Sequence, residues 1–513
     1  MSDAPSTPSF CRLGPDQRLT LAQVHHVAFN ADSTVNFDPQ AIDAMQRSHA
    51  ALLAAIDAGT PIYGVTTGFG PFVAFPSDAA GGRQHGQGLL AHLLAGHGPA
   101  TPAAVVRATL LIRARSLSRG YSGIHPDAAR QLLELLRRRV HPMIPQVGSV
   151  GASGDLTPLA YIAQVLAGRG EVINEQGQLV AAAEALAHAG LEPVELDSRD
   201  ALAIVNGTSF MSAYLALAAT RAQRLLSLAE RLTGWLYRLL GCATQALDPR
   251  LHDARGHDGQ RATAQHMLEE ALRTPGSSSS KTSGGGRMLQ EVYSIRCAPQ
   301  ILGACREQWR YVCGVVGTEI NGVNDNPLIC PTSTGVDVLH GGNFQGQQIA
   351  FAADALSAAL TQAGVLAERQ IAVLADPRRT DGAPLLLAPN PGATSGLAGA
   401  QLTATALLAD MRHAATPAAF SSIPTNGDNQ DIVSMGAGAA RRAFEQTDRL
   451  AAVLGVLAIF LSQLHALRDA GRCPGAGSPR PADPDFPAFS PLLDADRPLR
   501  DDIQRFADYM LKP

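Results

Sequence analysis

The residues best suited to covalent chemistry lie in Gly148-Ser149-Val150-Gly151-Ala152-Ser153-Gly154-Asp155-Leu156-Thr157-Pro158-Leu159-Ala160. Three glycines with small residues between them let a backbone bend sharply enough to bring its own atoms together. Asp155 stands where an N-cap would, with a helix expected from Leu156 and Pro158 tolerated in its first turn. The stretch therefore predicts a tight loop feeding a helix N-terminus, where backbone N–H groups can face negative charge. Three common uses of such a loop fail on its residues. A phosphate-cradling loop ends Gly-Lys-Ser/Thr, but Asp155 follows Gly154. A dinucleotide fingerprint needs Gly-x-Gly, and these glycines are three apart. A nucleophile elbow on Ser153 needs Gly two positions on, where Asp155 sits. Taken alone, the stretch is a structural turn before a helix.

Other stretches narrow the choice. Residues 62–70 interleave β-formers with Gly64, Gly68 and Gly70, a loop that carries Tyr63. Asn206 stands in Ile-Val-Asn-Gly-Thr-Ser, and Arg296 in Tyr-Ser-x-Arg-Cys-x-Pro-Gln. The run Gly-x-x-Gly-Ala-Ser-Gly-Asp-Leu resembles the signature of the aromatic amino acid and histidine ammonia-lyase family. Tyr-Gly-Val-Thr-Thr-Gly-Phe-Gly resembles that family's catalytic-tyrosine loop, and the matches run from residue 63 to residue 436.

Losing ammonia from an α-amino acid means removing a β-proton of very low acidity and a poor leaving group. An electrophile, a base and a fixed cation are needed. By the resemblance, Ala152, Ser153 and Gly154 cyclise to a methylidene-imidazolone (MIO), with Ser153 supplying the electrophilic carbon and no metal required. Tyr63 is implied as the base; free tyrosine titrates near ~10, so positive charge or loop N–H groups must lower it. Arg296 is implied as the carboxylate clamp, its planar fork suited to the task. Tyr293 and Gln290 match positions around the MIO, and Asn206 matches the asparagine that bonds it. Gly70, Asn326 and Phe344 match further substrate-binding positions.

Two positions bear on the substrate. Family members acting on histidine have Ser-His at the side-chain pocket and Glu where Gln430 stands. Here the pair is His92-Leu93 and Gln430 is neutral. A histidine can bond a phenolic hydroxyl while Leu93 packs on the ring, which resembles the tyrosine-selective members. The expected reaction is L-tyrosine to p-coumarate, with L-phenylalanine or L-DOPA as further substrates. A tyrosine 2,3-aminomutase shares the MIO, the histidine pocket and the run at 424–431, and is the alternative outcome. An inactive helical scaffold or binding protein is the remoter one.

The elements that must hold these residues are mostly helices. Apolar residues recur with helical spacing at 19–29, 39–58, 84–98 and 103–140, and Gly170 to Gln178 reads as a short hairpin. Longer stretches at 208–247, 296–322, 345–375, 398–415 and 430–470 predict a bundle. The expected fold is mainly α, fumarase/aspartase-like. It has a MIO-bearing region at 1–205, a central bundle at 206–472 and a short helical segment at 473–513. Residues 1–20 read as a loose start, 276–286 as a flexible Gly/Ser-rich stretch that is either a surface insertion or an active-site lid, and 474–484 as a Pro/Gly-rich tail. The 513 residues carry a net charge of −4 with only 17% charged side chains, which gives no footprint for nucleic acid. Seven cysteines without a C-x-x-C pair read as reduced thiols of a cytoplasmic protein, and no membrane span is expected. His85 and His92 could share a helix face, but no third ligand accompanies them. The resemblance implies a homotetramer with shared active sites.

Overall fold

The computed structural model describes residues 10–77, 82–273, 289–473 and 490–512. The stretches 276–286 and 474–484, read above as an insertion or lid and as a tail, lie outside the described residues.

The chain opens with β1 (Phe10–Leu13), α1 (Leu21–Phe29), β2 (Thr34–Phe37) and α2 (Pro39–Asp57). The expected loose start is wrong from residue 10 onward: β1 pairs in parallel with β2, and Cys11 and Leu13 are buried. Short β-formers separated by a helix carry too weak a pattern to reveal that pairing. Helix α1 begins on a capping box of Thr20 and Gln23, and α2 on Asp38 followed by Pro39. Next come α3 (Gly82–Leu93), β3 (His97–Ala100), α4 (Ala103–Leu117), α5 (Pro126–Arg137), β4 (His141–Pro142) and β5 (Pro145–Val147). After them run α6 (Leu156–Leu166), β6 (Glu171–Ile173), β7 (Leu179–Ala181), α7 (Ala182–Ala189) and α8 (Ser198–Val205). The expected hairpin is β6–β7.

The expected long helices follow. They are α9 (Ser209–Leu240), then, after α10 (Pro249–Arg255), α11 (Asp258–Leu272) and α12 (Tyr293–Arg296), the helix α13 (Ala298–Glu319). The hairpin β8 (Leu328–Pro331) and β9 (Val336–Leu339) leads into α14 (Gln347–Ala375), α15 (Ala398–Ala414), α16 (Gly436–Asp469) and α17 (Arg500–Leu511). The chain is mainly α around a bundle of long helices. Helix α9 stops at Gly241, which adopts φ 65°, and residues 430–435 stay outside α16.

Helices α9, α14 and α16 form the centre. Small residues such as Ala213, Ala216 and Ala219 on α9 are wholly buried, so neighbouring backbones approach closely. Helices α14 and α16 are long and apolar enough to cross a membrane, yet 67% and 83% of those windows are buried inside the bundle. Their apolar faces are used against other helices.

One buried charge ties α9 to α11 and α13. Glu230, 1% exposed, accepts from Thr263 Oγ1 (2.7 Å), His266 Nδ1 (2.9 Å) and Arg306 Nη2 (2.6 Å). Burial pushes its carboxyl up, but the bonds from His266 and Arg306 outweigh burial and hold it below the usual range. Removing one member of such a buried pair costs about 3–5 kcal/mol. Glu230→Ala should therefore lower the unfolding free energy by that amount, read from denaturant titration. In the wild type, the contribution is present above about pH 4.5 and is lost as pH falls through the lowered value. The variant should show a flatter acid limb in the same titration.

Candidate active site

The loop at 148–155 sits where four helix N-termini meet. Helix α6 leaves from it directly. The Gly151 carbonyl accepts from Gly346 N (3.4 Å), just before α14, and from Ser434 Oγ (2.9 Å); Val150 O accepts from Met435 N (2.8 Å), just before α16. Asp155 Oδ2 accepts from Met211 N (2.9 Å) in the first turn of α9.

Asp155 thus departs from its expected role. It holds the N-cap position of α6 by backbone, but its carboxylate makes no capping bond there. It turns instead to the start of α9, where the Thr208 side chain makes no cap, and takes a further bond from Ser149 Oγ (2.8 Å). Complete burial raises its carboxyl to about 7, against the pull of the Met211, Ser149 and Phe210 donors.

Two glycines in the loop are obligatory. Gly151 and Gly154 have φ +69° and +67°, and a Cβ on either would collide, with Ser434 Oγ and with the Gly207 carbonyl respectively. That same carbonyl accepts from Asp155 N (2.7 Å). Ala152 and Ser153 are therefore bracketed by two left-handed turns, the bend that brings residue i to residue i+2. Asn206 Oδ1 is buried without a protein partner, and Asn206 lines the adjacent cavity. A bent small-residue loop beside an orphan acceptor fits a group cyclised from Ala152-Ser153-Gly154.

That cavity measures about 700 Å³. The loop and its neighbours contribute Ser153, Leu156, Asn206 and Gln430; Gln430 Nε2 donates to Ser153 Oγ (3.1 Å). Residues 63–72 contribute Tyr63, Phe69 and Gly70. The Tyr63 hydroxyl oxygen accepts from Gly70 N (2.7 Å). Burial pushes the phenol up and the Gly70 bond works against it.

Helix α3 contributes Gln84, His85, Gly88, Leu89 and His92, one face at helical spacing. His92 Nδ1 lies 3.1 Å from the Gly88 carbonyl, which can only accept. In the neutral ring Nδ1 therefore carries the hydrogen and Nε2 is left as an acceptor. Leu93, expected against the substrate ring, is instead buried in the core, because one residue along a helix is a turn of 100°. Leu89 lines the cavity in its place.

Other expected site residues are not brought together within one chain. Asn326 is buried and lines a second cavity of about 590 Å³ that also borders Tyr63. Phe344 is half-buried in the segment entering α14 and does not line the Ser153 cavity. Tyr293 and Arg296 form α12, which packs far down the bundle. Tyr237 Oη donates to Ile295 O (3.1 Å) and Gln370 Nε2 to Ser294 O (3.0 Å). From Met211 to Tyr237 is 26 residues of unbroken helix, about 40 Å at 1.5 Å per residue. The Arg296 guanidinium lies over the 68% exposed Tyr293 ring (4.7 Å), and Gln290 beside them is exposed. These three residues do not meet Ser153 of the same chain. Asn426 and Asn429, in the run at 424–431, also line the cavity; the motif contains them, but in an irregular loop no periodicity marks which of its residues face the site.

The family model described as aromatic amino acid lyase matches residues 19–481. A tyrosine ammonia-lyase from Cereibacter sphaeroides is 38% identical, covering 97% of this chain and 97% of that protein. A histidine ammonia-lyase from Gloeobacter violaceus is 39% identical over 93% of this chain and 91% of its own length. Among solved structures, a tyrosine aminomutase from Streptomyces globisporus superposes with TM-score 0.87 at 34% identity, covering 98% of this chain and 97% of that one.

Gly154→Ala would put a Cβ into the Gly207 carbonyl and strain a positive φ. The purified variant should keep the mass of the unmodified chain, while the wild type should be lighter by two waters. A variant equally light would show that cyclisation does not depend on this bend.

Proposed function

The chain belongs to the aromatic amino acid lyase family, carbon–nitrogen lyases, and on that premise we propose that it eliminates ammonia from L-tyrosine to give p-coumarate. The observation that carries the substrate is the fixed ring of His92. Its Nε2 accepts and cannot donate in the neutral form, so a phenolic O–H is the partner it selects. Gln430 supports the same choice, since a neutral amide bonded to Ser153 offers no carboxylate to an imidazole substrate.

The MIO, formed from Ala152, Ser153 and Gly154, supplies the electrophile. Tyr63, as the phenolate, takes the β-proton at its phenol oxygen, and the Gly70 N–H stabilises the negative charge that the oxygen carries before the transfer. Asn206, whose buried Oδ1 has no partner in the protein, lines the same cavity. Gln430 holds the Ser153 position, and the stacked Phe69 and Leu89 keep water from the ring. Arg296 and Tyr293 of another copy bring the cation for the carboxylate, which is why we propose a homotetramer with shared sites. A cation arriving at the cavity would also draw down the Tyr63 phenol, whose burial leaves it high in the lone chain. Seven free cysteines support a cytoplasmic location.

A tyrosine 2,3-aminomutase, returning the amine to the β-carbon, is the second outcome, favoured by the solved aminomutase at TM-score 0.87. Product analysis of the purified protein separates the two. L-tyrosine should give p-coumarate and ammonia as the dominant products, exceeding turnover of L-phenylalanine and L-histidine. Dominant β-tyrosine would establish the mutase, and dominant turnover of L-histidine would remove the role of His92. His92→Phe should lower the tyrosine-to-phenylalanine ratio of kcat/KM roughly 10- to 100-fold, the size of one hydrogen bond to a desolvated hydroxyl. Because Tyr63 must lose its proton to act, kcat/KM should climb with pH on the alkaline side, and Tyr63→Phe should abolish that limb along with turnover.

A further inference from the structure

We propose that His340 is a positioning residue for Tyr63, holding the backbone of the base-bearing loop through a hydrogen bond that only an unprotonated Nε2 can accept; the role rests on Tyr63 being the base. Tyr63 N lies 3.1 Å from His340 Nε2, a contact between residues 277 apart in sequence. An amide N–H can only donate, so Nε2 must present its lone pair and Nδ1 carries the hydrogen.

His340 stands on rigid ground. It follows β9, which pairs with β8 along its whole length, and β8 is tied to the turn before α5 by Ile329 N to Tyr121 O (2.7 Å). The next residue, Gly341, donates its N–H to Asn326 Oδ1 (2.7 Å), and Asn326 is buried with its carbonyl taken by Arg199 Nη1 (3.3 Å). The position of His340 is therefore set by the buried interior.

The loop is gripped from its other side as well. His85 on α3 reaches Thr67 O through Nε2 (3.2 Å), and its ring stacks on Phe69 (4.3 Å, 12° between planes). Phe69 in turn meets Tyr63 edge-on (6.4 Å). His85 steadies the loop from the Ser153 cavity, and His340 from the second cavity, of which Tyr63 is a shared wall. His340 does not line the Ser153 cavity, so it acts through Tyr63.

The geometry prescribes the test. A glutamine Oε1 falls near the place of Nε2, whereas an asparagine is one bond too short, and alanine has no acceptor. His340 is exposed, so none of the three should prevent folding. His340→Ala and His340→Asn should lower kcat on L-tyrosine about tenfold, the size of one lost positioning bond, with KM nearly unchanged. Both should speed amide hydrogen exchange across residues 61–70, and His340→Gln should restore both readings. Equal kcat and exchange in all variants would overturn the proposal, as would equal impairment in His340→Gln and His340→Ala. If the wild type does not turn over L-tyrosine, exchange alone decides. Faster exchange in His340→Ala with recovery in His340→Gln sustains the latch although the substrate is wrong, and unchanged exchange removes it.

Discussion

The approach of Gly154 to Gly207 is the contact on which the site depends. No side chain fits between the two backbones, and the Gly207 carbonyl also takes the Asp155 N–H. Around that contact the bundle brings the first turns of α6, α9, α14 and α16 to one loop. Each contributes unsatisfied N–H groups and the positive end of its dipole. The carbonyls of Val150 and Gly151 and the carboxylate of Asp155 use three of these ends. The loop is therefore held bent by the helices whose first turns meet it. Met435 accepts a left-handed φ of 55° to deliver its N–H to Val150, a local strain of about 1–2 kcal/mol that the surrounding contacts hold in place.

The same long helices hold the expected site residues apart within the chain. A helix that delivers its N-terminus to the loop carries its other end about 40 Å away, and α12 packs at that other end. No rearrangement of a side chain can bring Arg296 back to Ser153 of its own chain. The distance is built into α9. The exposed Tyr293 ring and the partnerless Arg296 Nε suit residues that await a surface from elsewhere.

The substrate cavity is assembled from elements held in place by buried polar contacts. Beneath Asn206, the wholly buried Arg113 donates to its carbonyl (2.7 Å) and fits only because residue 207 lacks a Cβ. Arg199 and Asp325 pair nearby, both almost fully enclosed. Breaking such pairs is costly, so they fix the floor of the site. The Tyr63 loop is held from two sides, by His85 at Thr67 and by His340 at the Tyr63 amide.

Sequence by itself determined the residue types and the elements. Helical spacing marked α1 to α5 and the long helices, overrunning by five to seven residues at the ends of α3 and α9 and the start of α16, because apolar periodicity records which face is buried. The small-residue run at 148–155 declared a bend, because no bulky residue could stand there. What sequence could not carry was non-local. The parallel pairing of β1 with β2, the turn of Asp155 from its own helix to α9, and the burial of Leu93 beside an exposed His92 are set by what packs against them. So is the distance separating Arg296 from Ser153: the motifs name both residues, and only the length and direction of α9 place them at opposite ends of one chain.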